Sequence, residues 1–132
     1  MIYFKEDYVT ICYDEKLNLV EVIWNGLIYS QHLRETMTMI LDLIEEKQVE
    51  NFLVDRKNMQ RISLADEKWR KAHWFPRYLA SSIKRSASVI SKDYYNEVAV
   101  ARLIKETDED IKIERRSFYS YREAKAWLLK CA

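Results

Sequence analysis

Residues 8–26 read Tyr8-Val9-Thr10-Ile11-Cys12-Tyr13-Asp14-Glu15-Lys16-Leu17-Asn18-Leu19-Val20-Glu21-Val22-Ile23-Trp24-Asn25-Gly26, and this stretch decides the fold. Val9, Ile11 and Tyr13 alternate with Tyr8, Thr10 and Cys12. Val20, Val22 and Trp24 alternate with Glu21 and Ile23. Period-two alternation marks two half-buried strands, and the polar run Asp14–Asn18 between them predicts an antiparallel hairpin. Gly26 follows the second strand, where a residue free to take positive φ lets the chain leave the sheet.

Beyond the hairpin the period changes. Leu33, Met37, Ile40, Leu41 and Ile44 fall at i, i+4, i+7, i+8 and i+11, one helical stripe, with Ser30 as its N-cap and an end near Lys47. Met39 and Leu43 widen that face. Asn51-Phe52-Leu53-Val54-Asp55 then reads as a short buried strand. Ser63 opens a second helix, with Asp66 completing a capping box and Ala65, Trp69 and Ala72 as the inner face. Pro76 cannot bond Ala72 and disfavours α geometry at Phe75, so a break is expected there. Ala87-Ser88-Val89-Ile90 is another buried strand. Asp93 caps a helix holding Val98, Ala101 and Ile104, and Ile111 with Ile113 mark an edge strand. A capping box at Ser120-Tyr121-Arg122-Glu123 starts a last helix through Ala124, Trp127, Leu128 and Cys131.

The order is therefore β-β-α-β-α-β-α-β-α. That predicts an α/β fold with a mixed sheet, antiparallel in its N-terminal hairpin and parallel later, packed by four helices. No composition break or repeat interrupts residues 1–132, so one domain is expected.

Composition removes several function classes. The chain has 132 residues with one glycine and one proline. Dinucleotide G-x-G-x-x-G turns, P-loops and G-x-S-x-G elbows need more glycine than Gly26 supplies. Net charge is +1, yet residues 1–60 carry six Lys/Arg against eleven Asp/Glu, and residues 61–132 carry sixteen against ten. The basic run Arg61–Arg85 holds seven cations and two anions, a candidate anion- or partner-facing surface. Near-neutral charge and no nucleic-acid module leave nucleic acid outside the expected partners. Cys12 and Cys131 are too far apart in sequence for a C-x-x-C motif and read as thiols of a reducing cytoplasm. No membrane span and no signal segment are seen, so the expectation is a cytoplasmic protein.

The ordered set of patterns resembles the STAS fold of bacterial anti-sigma factor antagonists. More closely, the chain looks like small bacterial STAS-like proteins often grouped with CRAL-TRIO lipid carriers. The likeness rests on Tyr8–Ile11 with Leu19–Gly26, Asn51–Asp55, Trp74-Phe75-Pro76, Lys84-Arg85 and Glu123–Leu128. In the classical antagonists a D-S-S-G sequence starts the second helix and its serine is phosphorylated. Here Asp55–Leu64 lacks that motif, and Ser63 alone occupies the corresponding helix start as a phospho-site position. The lipid-carrier likeness implies a small apolar or amphipathic ligand, with Met37 and Met39 beside Trp74-Phe75 as lining.

No enzyme signature emerges. His32 and His73 have no metal-ligand spacing, sequence fixes no contact between Cys12 and His32, and His73 has no carboxylate at i±4 to orient it as a base, so no cofactor or metal is expected. The most informative segment is Trp69–Tyr78. On an ideal helix Arg70, Trp74, Arg77 and Tyr78 share an outward strip beside Phe75, and Arg, Trp and Tyr are enriched at binding hot spots. These five residues, with the edge of the hairpin, are the expected surface for a protein partner or a second copy in a homodimer. The expected function is a non-enzymatic module acting through protein contacts, with a lipid-like ligand as the alternative.

Overall fold

A computed structural model describes residues 1–90 and 112–130. Its six strands are β1 (Ile2–Glu6), β2 (Val9–Asp14), β3 (Leu19–Gly26), β4 (Asn51–Met59), β5 (Arg85–Val89) and β6 (Glu114–Phe118). Helix α1 (Ser30–Lys47) joins β3 to β4. Between β4 and β5 run α2 (Leu64–Trp69), a π turn (Arg70–Trp74) and α3 (Phe75–Leu79), and α4 (Tyr121–Lys130) follows β6. The strands lie in sequence order, β1-β2-β3-β4-β5-β6, antiparallel from β1 to β3 and parallel from β3 to β6. The mixed sheet and the hairpin match the sequence reading. The helix expected after Asp93, together with Ile111 and Cys131, lies outside the described residues.

Alternation assigns the two faces. Val20, Val22, Trp24, Phe52 and Val54 pack with Leu33, Met37, Ile40 and Trp74 in the larger core. Leu19, Leu53, Ala87 and Val89 pack with Ala124 and Leu128 of α4 in the smaller one. Both faces are thus covered, which is why Phe52, Leu53, Val54 and Asp55 are buried in succession. On the α4 side the buried Glu21 accepts a 2.8 Å bond from the Tyr121 hydroxyl and pairs with Lys125 at 3.1 Å.

Four local expectations need correction. Strand β1 was not foreseen; it pairs with β2 and so covers the hairpin edge that was expected to be free. The last strand begins at Glu114, and Ile113 instead enters the larger core just before it. Ser30 is the first residue of α1 rather than its cap: Tyr29 holds that position without a side-chain bond, and the Ser30 hydroxyl reaches Asp66. Ala65 and Ala72 are exposed, whereas Asp66, Arg70, Trp74, Phe75 and Tyr78 are buried. Two alanines offer far less area than an indole and a phenol, so the aromatic face turns inward.

The single glycine takes φ 72° and leaves β3 as expected, but two other left-handed positions are held by Asn18 (φ 49°) and Gln48 (φ 52°), the latter ending α1. Each carries the steric cost of a Cβ in that region. Replacing Gln48→Gly is expected to raise unfolding free energy by up to about 1 kcal/mol. Gly26→Ala is expected to lower it by about 1–2 kcal/mol from backbone strain alone, since a Cβ there meets nothing within 4 Å. Urea unfolding of both variants measures the two changes.

Candidate functional site

The site is built around the interruption between α2 and α3. Pro76 has no amide for the Ala72 carbonyl. The helix accommodates this by widening one turn, and the Phe75 amide donates to the Arg70 carbonyl, five residues back. Phe75 therefore keeps α geometry (φ −62°, ψ −39°), and the expected break is a π turn instead. One extra residue rotates everything downstream by about 100°. Arg77 leaves the face of Arg70, while Trp74 and Tyr78 remain on it.

The outward strip expected from ideal helical spacing is accordingly not formed. Arg70, Trp74, Phe75 and Tyr78 are 4–8% exposed and face the sheet. Trp74 donates its indole N–H to the Met37 carbonyl of α1 at 2.7 Å. It stacks on Tyr78 at 5.0 Å, Phe75 sits 5.8 Å from Tyr78, and Tyr78 meets Phe52 of β4 at 5.6 Å. Such ring pairs contribute roughly 0.5–1.5 kcal/mol each beyond their buried area. Arg77 alone stays at the surface, where it bonds Glu45 at 2.7 Å and Asp42 at 3.3 Å and ties α3 to α1.

Under this aromatic layer lies a cavity of about 100 Å³ lined by α1, the π turn, α3 and strands β3 to β6. Its walls are apolar and aromatic, but Arg56, Arg70, Arg115, Ser86 and Ser88 also line it. A bulge sets part of this. Ile23 pairs with Asp55 but Asn25 with Asn58, so one extra residue on β4 lets both Arg56 and Met59 face the same cavity. Ser86 pairs with Phe52 on one side and Arg115 on the other, which places all three on one sheet face. Burial lowers the Arg70 pKa from its ordinary value, with Glu67 opposing that shift. Burial raises the Tyr78 hydroxyl pKa to about 12, so it remains a donor at neutral pH.

Of the residues read as ligand lining, Met37, Trp74 and Phe75 border the cavity; Met39 instead faces a shallow groove with Tyr3 and Trp69. A cavity of about 100 Å³ is smaller than the ~150 Å³ that takes up one benzene, so an acyl chain does not fit within it. Arg56, Arg115 and the two serines were not foreseen. Their signal was parity: Arg56 lies two residues after Val54, and Ser86 and Ser88 alternate with Ala87 and Val89.

A second feature lies at the loop end. Ser63 caps α2, accepting the Asp66 amide at 3.1 Å. The Asp66 carboxylate does not return that bond; it accepts the Ser30 hydroxyl at 2.5 Å and Arg34 Nε at 2.9 Å. Burial raises the Asp66 pKa, but bonds with Ser30, Arg34 and Ser63 outweigh it, and the carboxyl titrates below its ordinary value. This joins the first turns of α1 and α2. Around the junction, Leu27 (58%), Tyr29 (70%) and Leu64 (60%) are exposed, and His32 packs on the rings of Tyr8 and Tyr29. His73 is exposed on the π turn. Among the described residues no cluster of three or more His, Cys, Asp or Glu could hold a metal ion, and no helix is long and apolar enough to cross a membrane.

Because folding lowers the Asp66 pKa, its contribution is complete above the unfolded value of 3.8 and is lost as pH falls through the folded value. Asp66→Asn is expected to cost about 2–3 kcal/mol at pH 7 and to flatten the loss of stability below about pH 4. Urea unfolding between pH 2.5 and 7 measures both.

No family model matches the chain, and no curated protein does. Among solved structures it is similar to apo-SiaC from Pseudomonas aeruginosa, at 14% identity over 88% of this chain and 94% of that one, with a TM-score of 0.49.

Proposed function

We propose that residues 1–132 act as one STAS-like domain without catalysis, through contact with a protein partner, and that the partner is first a second copy of the chain. The observation that carries this reading is the rim formed by Leu27, Tyr29 and Leu64, all more than half exposed. Single exposed apolar residues are ordinary. Three large ones flanking one junction are the pattern of an interaction surface. The junction is also stiff. Gln60 donates its amide to the Gly26 carbonyl at 2.9 Å, and Asp66 ties α1 to α2, so little ordering cost falls on association. The proposed module is cytoplasmic and regulatory, without a membrane span and without nucleic acid as its partner.

The earlier five-residue surface shifts in this reading. Trp74 and Tyr78 hold the π turn and α3 against α1 and β4 from within, Arg70 and Phe75 are buried beside them, and Arg77 anchors α3 on α1. Ser63 sits on the rim as the cap of α2, so phosphorylation there would add negative charge directly to the contact surface.

Light scattering after size exclusion at micromolar concentration is expected to give twice the 16.0 kDa chain mass. The double variant Tyr29→Ser, Leu64→Ser is expected to run as a monomer with an unchanged far-UV spectrum. A wild-type monomer, or a variant that dimerises as well as wild type, would remove this role from the rim.

A further inference from the structure

We propose that the cavity beneath the π turn binds a small oxyanion, a carboxylate or phosphate group, held by the guanidinium of Arg70. Independently of the partner rim, the proposal stands on one energetic and one geometric observation. Arg70 is 8% exposed, and its Nε and Nη2 have no hydrogen-bond partner among the described residues. A guanidinium does not escape burial by losing its proton, and burial outweighs the attraction of the nearby Glu67 carboxylate, so a charge without hydrogen bonds at these atoms is costly among apolar walls. The fold holds this charge where a counter-charge from a ligand relieves it.

The free atoms are also the right pair. Nε and Nη2 share one edge of the guanidinium plane, the fork that meets two oxygens of one carboxylate or phosphate side-on. Arg56 and Arg115 reach the same cavity from β4 and β6, and among the described residues no Asp or Glu lines it. The Tyr78 hydroxyl, buried and without a hydrogen bond of good geometry, is a further donor, with Ser86 as its neighbouring hydroxyl. Three cations, three hydroxyl groups and no acid among the described lining residues select for negative charge. The volume of about 100 Å³ sets the enclosed part at an oxyanion head rather than a long apolar body.

The test is thermal unfolding of the full chain in millimolar sodium phosphate, sodium acetate or sodium chloride at equal ionic strength and pH. Phosphate and acetate separate the two head-group chemistries. One of them is expected to raise the wild-type Tm saturably, by roughly 5 °C at about tenfold its Kd. Arg70→Met is expected to lose that response and to melt above wild type in chloride, because an unpaired buried charge has gone. Arg77→Ala, which removes a surface cation, is expected to respond as wild type does. An equal shift in Arg70→Met, or no shift of wild type with either anion, would overturn the proposal. If Arg70→Met does not fold, Arg70→Lys keeps the charge without the fork. It is expected to weaken binding at least tenfold, and unchanged affinity would overturn the assignment equally.

Discussion

Everything between β4 and β5 depends on one missing hydrogen. Pro76 has no amide to give the Ala72 carbonyl, and a regular helix cannot absorb that loss without a kink. The π turn absorbs it by moving the next bond to Phe75 and Arg70. The added residue keeps Asp66, Arg70, Trp74 and Tyr78 on one buried stripe, although their spacing of four would drift off an ordinary helical face. The aromatic stack, the indole bond to α1 and the buried guanidinium all follow from that alignment.

The two ends of this stripe differ in how their charges are satisfied. Asp66 is buried with a hydroxyl, a guanidinium and a capping serine around it, so its ionised form is favoured despite desolvation. Arg70, one turn on, has its buried Nε and Nη2 without hydrogen-bond partners among the described residues. Burial acts on both groups in the same way. Neighbouring hydrogen bonds decide which becomes a structural tie and which remains available to a ligand.

Much of the fold was legible because it follows from period and punctuation. The alternation of Val20, Val22 and Trp24 names their face, the stripe from Leu33 to Ile44 gives α1, and Gly26 marks the exit from β3. The site was legible in its residues but not in their direction. Spacing on an ideal helix puts Arg70 and Arg77 together; the π turn separates them, and no propensity scale signals a π turn. Asp66 was read as half of a capping box because sequence shows its neighbour Ser63 and not Ser30, thirty-six residues away. Arg56 was legible by its parity with Val54, but bringing Met59 to the same face needed the β4 bulge, and Arg115 the parallel register of β6, neither of which a local pattern encodes.

The strand order has a consequence for assembly of the molecule. Each of the strands from β2 to β6 hydrogen-bonds the one before it in sequence, so none of the six described strands must wait for a later one to insert between two others. The first three form a meander closed by short turns, and β4 adds after a single helix. Loop-closure entropy is then met in small instalments. During synthesis the sheet can extend from its N-terminal edge as each strand becomes available, with 24, 25 and 24 residues of chain intervening before β4, β5 and β6 in turn.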